Sequence, residues 1–256
     1  MRLVINGSLV SGEPTLPYST ALLRGDGLFE TILAVDENAI AWDRHYARLS
    51  NSARKLQITL PAKIDIELGI TKVLKGCAGQ SRMRLTVLSD GNWFISVEKL
   101  EPSSSSVALM KVLAPKISSG GLSGVKSISY GQSLLVVRQA QDLGFDDGIF
   151  MNEKGEVVET ALSNLLILTS TGWLTPSLSS GCLPGITREL LIKWFDVKEE
   201  LITFDQLLTA KAVYVTSSLR LIQRVSKVEK KLFDESLAGK ELITDFTNRL
   251  LSNINP

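Results

Sequence analysis

One short stretch of this chain, Glu101-Pro102-Ser103-Ser104-Ser105-Ser106, has no hydrophobic period and nothing large to bury. In a chain of 256 residues it leaves enough on either side for a separate core, so it constrains the architecture more than any other feature. The expectation is two domains, residues 1–104 and 105–256. Each half mixes strand-like and helix-like segments without regular alternation, which points to the α+β class rather than a doubly wound parallel sheet.

In the first half, Leu3-Val4-Ile5-Asn6-Gly7 and Leu28 to Val35 carry strand formers, and Arg24-Gly25-Asp26-Gly27 between them reads as a tight turn. Tyr46, Leu49, Ala53 and Leu56 recur at helical spacing and send Arg44, Arg48 and Lys55 off the apolar face. A second helix is expected over Ile64 to Leu74. Residues 82–88 and 93–97 flank Ser89-Asp90-Gly91-Asn92, a hairpin signal. In the second half, strands are expected near 107–113, 148–151 and 164–168, with a Gly/Ser loop at 118–124. Helices are expected around Leu134 to Leu143, at Thr187 to Phe195, and at Ser236 to Ser252, where Leu242, Phe246 and Leu250 share a face.

Composition removes several functions. Twenty-eight Lys and Arg against 27 Asp and Glu leave +1, which offers no field for nucleic acid or an anionic membrane and favours a small-molecule partner. No apolar run reaches the roughly 18 residues of a membrane span, and the N-terminus meets a turn before a signal-peptide core could form. Two cysteines outside any CxxC spacing fit a reducing cytoplasm. The single histidine, His45, rules out a multi-histidine metal site within one chain, and no metal is expected. Acid–base chemistry then falls to Lys, Glu, Asp, Tyr or a borrowed cofactor.

Five features could carry chemistry, and each has an ordinary alternative. Leu183-Pro184-Gly185-Ile186-Thr187-Arg188 runs into a helix whose first amides suit an anion, or is a simple helix entry. The hydroxyls of Thr216-Ser217-Ser218 could bind the same anion or form a turn. Arg48 could grip a phosphate or face solvent. Lys126, in a strand-like Val-Lys-Ser-Ile-Ser context, becomes a nucleophile if desolvated. Glu159 follows two valines, where a carboxylate needs a partner unless the strand is an edge.

Taken in order, Gly25-Asp26-Gly27-x-Phe29-Glu30, His45-x-x-Arg48-Leu49, Lys126, Glu159-x-x-x-Ser163-Asn164 and Leu183-Pro184-Gly185-Ile186-Thr187-Arg188 resemble the class IV pyridoxal-phosphate enzymes, over about residues 20 to 220. The resemblance implies the fold type IV architecture, with a small N-terminal domain, a larger barrel-like C-terminal domain, and a homodimer. It implies that Lys126 joins the cofactor aldehyde as an imine and that Glu159 bonds the pyridine nitrogen. Arg48, Ile186, Thr187 and Ser217, or Ser218 in its place, would hold the phosphate. Leu183 would pack on the ring, with Tyr130 beside it. Phe29 would wall the pocket, and Arg84 and Arg220 are candidates for a substrate carboxylate.

Within that family, D-amino-acid aminotransferases usually carry tyrosine where this chain has Phe29. Branched-chain aminotransferases often show Gly-Gly-Asn-Tyr where this chain has Ser127-Ile128-Ser129-Tyr130. The chain looks more like aminodeoxychorismate lyase, which implies release of pyruvate and 4-aminobenzoate from 4-amino-4-deoxychorismate. Transamination of a branched-chain or other amino acid is the alternative. A cofactor-binding protein without turnover is a second, against which the joint presence of Lys126 and Glu159 weighs.

Overall fold

The computed structural model describes residues 1–256 apart from positions 14, 16 and 17, and in it the chain divides into two units. The first takes Met1–Pro102, Val125–Tyr130 and Leu250–Pro256; the second takes Ser103–Gly124 and Gly131–Arg249. The first unit is not one continuous stretch, because two later segments return to it.

The first unit runs β1 (Arg2–Ile5), β2 (Ser8–Leu9), α1 (Thr20–Arg24), β3 (Gly27–Val35), β4 (Asn38–Ala39), α2 (Trp42–Leu56), α3 (Lys63–Leu74), β5 (Gln80–Leu88) and β6 (Trp93–Lys99). Its sheet has the order β2-β1-β6-β5-β3-β4, with every pair antiparallel. Alternation along β3 sends Leu28, Ile32 and Ala34 into a core shared with Leu49 and Ala53 of α2 and Ile66, Ile70 and Val73 of α3. Phe29, Thr31 and Leu33 point to the other face.

Backbone chemistry explains the two returning segments. Phe29 donates its N–H to the Lys126 carbonyl at 2.9 Å and Ile128 donates to Gly27 at 3.0 Å, so residues 126–128 close the edge of β3 that β4 leaves open. Glycine is needed there, since a Cβ at Gly27 would lie 2.6 Å from the Val87 oxygen. Lys126 is therefore not on a strand of its own, as its flanking residues had suggested, but beside a one-residue bridge between Leu28 and Ser127. The C-terminal segment caps α2, whose N-cap Ala41 has no side-chain acceptor to offer. Ala41 donates to Ile254 O at 2.6 Å, and Asp43 N to Asn255 Oδ1 at 3.0 Å.

The second unit runs β7 (Ser106–Lys111), α4 (Gly131–Asp142), β8 (Asp147–Met151), β9 (Val157–Thr160), β10 (Asn164–Leu168), β11 (Trp173–Pro176), α5 (Ile186–Trp194), β12 (Lys198–Glu200), α6 (Phe204–Thr209), β13 (Ala212–Ser217), β14 (Leu221–Val228), β15 (Lys231–Leu232) and α7 (Leu237–Ser252). Its curled sheet follows β12-β11-β10-β13-β14-β7-β8-β9, with β15 on β14. Val107, Leu109, Ile149, Val157, Ile167, Val213 and Val225 form its main core. Phe246 of α7 is fully buried against Trp194 and Phe195 at the end of α5. Among the described residues, no helix is long and apolar enough to cross a membrane.

Candidate active site

In the first unit the pleat of β3 separates two neighbouring side chains, Phe29 and Glu30, onto opposite faces. Glu30 turns toward α2 and is 1% exposed. There Arg48 grips it with a two-pronged contact, Nε to Oε1 at 2.9 Å and Nη2 to Oε2 at 2.5 Å, while His45 Nδ1 meets Oε2 at 2.6 Å. Burial alone would raise the Glu30 pKa, but the Arg48 charge and the His45 hydrogen bond overcome it and hold the carboxyl at about 2. Burial dominates for His45 and pushes its pKa down, so the ring is neutral and donates from Nδ1. Arg48 thus does not face solvent. Its pair with Glu30 uses Nε and Nη2.

On the other face, Lys126 Nζ lies 4.4 Å from the centre of the Phe29 ring and 5.8 Å from that of Tyr130. The two rings meet edge-on at 5.2 Å. Arg84, cross-strand from Thr31 on β5, places its guanidinium carbon 3.8 Å from the Phe29 ring. Partial burial, with the nearby Arg82 charge, pulls the Arg84 pKa down. The structure therefore brings Lys126, Phe29, Tyr130 and Arg84 together.

In the second unit Asn164 is the hub. Its Nδ2 donates to Glu159 Oε2 at 3.1 Å and to the Leu183 carbonyl at 2.9 Å, while Leu183 N donates to the same carboxylate oxygen at 3.0 Å. Its Oδ1 lies against Gly185, where any Cβ would collide with it. The remaining Glu159 oxygen is ion-paired with Lys116, so this buried carboxylate is compensated rather than stranded. Gly185 begins α5 without a side-chain cap, which leaves Ile186 and Thr187 to present the first amides of the helix. Register pairs Asn164 with Thr216, and the Thr216 and Ser163 hydroxyls are buried with no partner. Ser217 Oγ accepts from Arg220 N at 3.2 Å. Arg220 itself lines a cavity with Arg224 and Lys240. Cys182, beside this network, is held protonated by burial, with its pKa pushed up to about 11. No cluster of metal-ligating side chains exists among the described residues.

Sequence reasoning passed over Lys116, which lies far from Glu159 in the chain and carries no motif. It quoted Glu30, His45 and Asn164 within motifs but gave them no role.

A sequence model of class IV amino-transferases matches residues 27–228. The chain belongs to the class IV aminotransferases. Among the relatives of this class IV chain, aminodeoxychorismate lyase of Bacillus subtilis is 27% identical, over 88% of this chain and 86% of its own. A Methanocaldococcus jannaschii protein, provisionally named a branched-chain-amino-acid aminotransferase, is also 27% identical, over 94% and 92%. The solved structure of a hypothetical aminotransferase from Mycobacterium tuberculosis in its PLP-bound form superposes with a TM-score of 0.89 at 22% identity, covering 98% of both chains. That last likeness speaks for the fold, which is the fold type IV architecture.

Proposed function

We propose that the chain is a pyridoxal-phosphate enzyme acting as 4-amino-4-deoxychorismate lyase. The observation that carries the reading is an amine, Lys126 Nζ, held over an aromatic ring with a guanidinium, Arg84, on the same ring. The residues fit the cofactor: unpartnered hydroxyls at Thr216 and Ser163, uncapped amides at Ile186 and Thr187, and a charge-compensated carboxylate at Glu159 are what a phosphate and a pyridine nitrogen would meet. Arg48, with Ser217 or Ser218, would complete the phosphate set. When bound, the cofactor supplies an electron sink for a carbanion at the substrate. Glu159 would keep the pyridine nitrogen protonated and Leu183 would pack against the ring. Lys126 would hold the cofactor through its amine and, when displaced by the substrate amine, would take a proton from the substrate ring. Arg84 holds a substrate carboxylate, while Phe29 and Tyr130 exclude water. As the ring C–O bond breaks, that proton would pass to the departing three-carbon fragment, which leaves as pyruvate, and the aromatised ring would be 4-aminobenzoate.

The alternative reading, aminotransfer, is favoured by the coverage of the Methanocaldococcus relative. One turnover without a keto acid decides. Pyruvate and 4-aminobenzoate with an unchanged cofactor spectrum support the lyase; conversion of the cofactor to its amine form rejects it. Lys126→Ala should abolish the absorption band of bound cofactor, and an unchanged band would overturn the role of Lys126. We also take the chain to be a cytoplasmic homodimer. Both cysteines are free, and Leu113, Ile117 and Leu122 expose an apolar surface. A monomer in sedimentation would refute the dimer.

A further inference from the structure

Asp147, at the start of β8, is wholly buried, and no step of the proposed reaction uses it. Its Oδ1 accepts from Gly148 N at 2.8 Å and from Ala161 N at 3.1 Å, and its Oδ2 accepts from Leu162 N at 3.3 Å. The Thr160 hydroxyl bonds the same carboxylate, and the positive charge of Arg220 acts on it. Arg220, expected from the sequence to meet a substrate carboxylate, thus has an anion within the second unit. Burial is nonetheless the largest influence and raises the Asp147 pKa, so the fold bears a cost in keeping a carboxylate here. Amides arriving at both oxygens explain why the cost is borne, since they require two acceptors on one side chain, which an asparagine does not offer. Apart from Gly148, the hydrogen-bond donors all belong to one turn. Ser163 closes that turn on Thr160, donating N to Oγ1 at 2.9 Å, while Thr160 N donates to the Ser163 carbonyl at 2.8 Å. The turn joins Glu159, near the end of β9, to Asn164, the first residue of β10. Those two side chains meet at 3.1 Å, and both reach Leu183. A shift of the turn therefore changes where the Glu159 carboxylate stands relative to the start of α5.

We propose that Asp147 is a positioning residue for the cofactor: through the 160–163 turn it holds Glu159 and Asn164 in the arrangement that receives the pyridine ring. The inference rests on the ring contact proposed for Glu159, and not on the choice between lyase and aminotransfer. Its test uses the full chain and reads the affinity for pyridoxal phosphate by equilibrium dialysis, the visible circular dichroism of the saturated protein, and the gain in melting temperature on saturation. Asp147→Asn keeps the size of the side chain and removes one acceptor. It should weaken pyridoxal phosphate by about tenfold, diminish the dichroic band and shrink the gain in melting temperature. A role in stability alone would lower the melting temperature equally with and without cofactor and leave affinity and band as in the wild type; that result overturns the proposal. If Asp147→Asn does not fold, Thr160→Val decides, because it removes a contact to the carboxylate from the side of the turn. It should weaken the cofactor by about threefold, and wild-type affinity would overturn the proposal. Glu159→Gln tells the two ideas apart. A band altered in Glu159→Gln but not in Asp147→Asn removes only the role of Asp147, whereas a band unaltered in Glu159→Gln removes the ring contact and this inference with it.

Discussion

Arg48 shows how a charge can belong in an interior. A buried guanidinium is tolerated because Glu30 offers both oxygens to it, and breaking such a pair from one side costs about 3–5 kcal/mol. Glu30→Gln should therefore lower stability by about that amount in urea unfolding; a loss under about 1 kcal/mol would show that the pair is not needed. Acid should act through the same residues. Glu30 and His45 both bind protons less readily in the fold than in the unfolded chain, so lowering pH favours unfolding. The Glu30 contribution is complete above its ordinary value of 4.5 and is lost as pH falls through about 2, while His45 adds a loss below about 6.5. Melting temperature followed from pH 7 to 2 should decline, and Glu30→Gln should flatten the part below 4.5. A wild-type profile that rises on acidification contradicts this sign. Gly185 makes the complementary point about space. Gly185→Ala would force Asn164 off Glu159 and Leu183, at a cost of about 1–3 kcal/mol. It should also weaken cofactor binding in equilibrium dialysis, and unchanged affinity would show that Asn164 has room to move.

Among the elements, α7 reverses a familiar rule. Replacing a helix-interior glycine by alanine ordinarily stabilises by about 0.5–1 kcal/mol, but a Cβ at Gly239 would strike the Tyr214 hydroxyl. Gly239→Ala should thus lower the melting temperature, and a rise would show that Tyr214 yields. The element pattern was largely legible in the residues: the hairpin of β5 and β6, the helices α2, α3, α5 and α7, and strands β3, β8 and β10 follow from period and turn chemistry. What escaped has a physical reason. The α2 stripe counts only apolar side chains, so it could not see that His45, Arg48 and Ser52 form a second buried face whose polarity is answered from β3. α6 is short, and its Thr203–Gln206 capping box was there to be read. In α4 the conspicuous leucines mislead, since Leu134, Leu135 and Leu143 are exposed and Val136 and Ala140 are buried. At the candidate site the motif residues were legible, but Lys116 and the orphaned Thr216 hydroxyl depend on register between distant strands, which no local pattern records.

For the molecule as a whole, the first unit is completed from three separate pieces of chain. A fragment of residues 1–102 lacks both the segment that closes β3 and the residues that cap α2. It should show no cooperative thermal unfolding, whereas the full chain should; a cooperative transition in the fragment would mean that the returning segments are decoration. The feature also has a bearing on biogenesis. At about 5–20 residues per second, a ribosome that has finished residue 102 needs roughly ten to thirty seconds more to deliver residues 250–256. Through that interval the nascent first unit carries an uncapped helix, and until residues 126–128 follow it carries an unpaired strand edge as well, so this is the half of the polypeptide on which a chaperone would have to act.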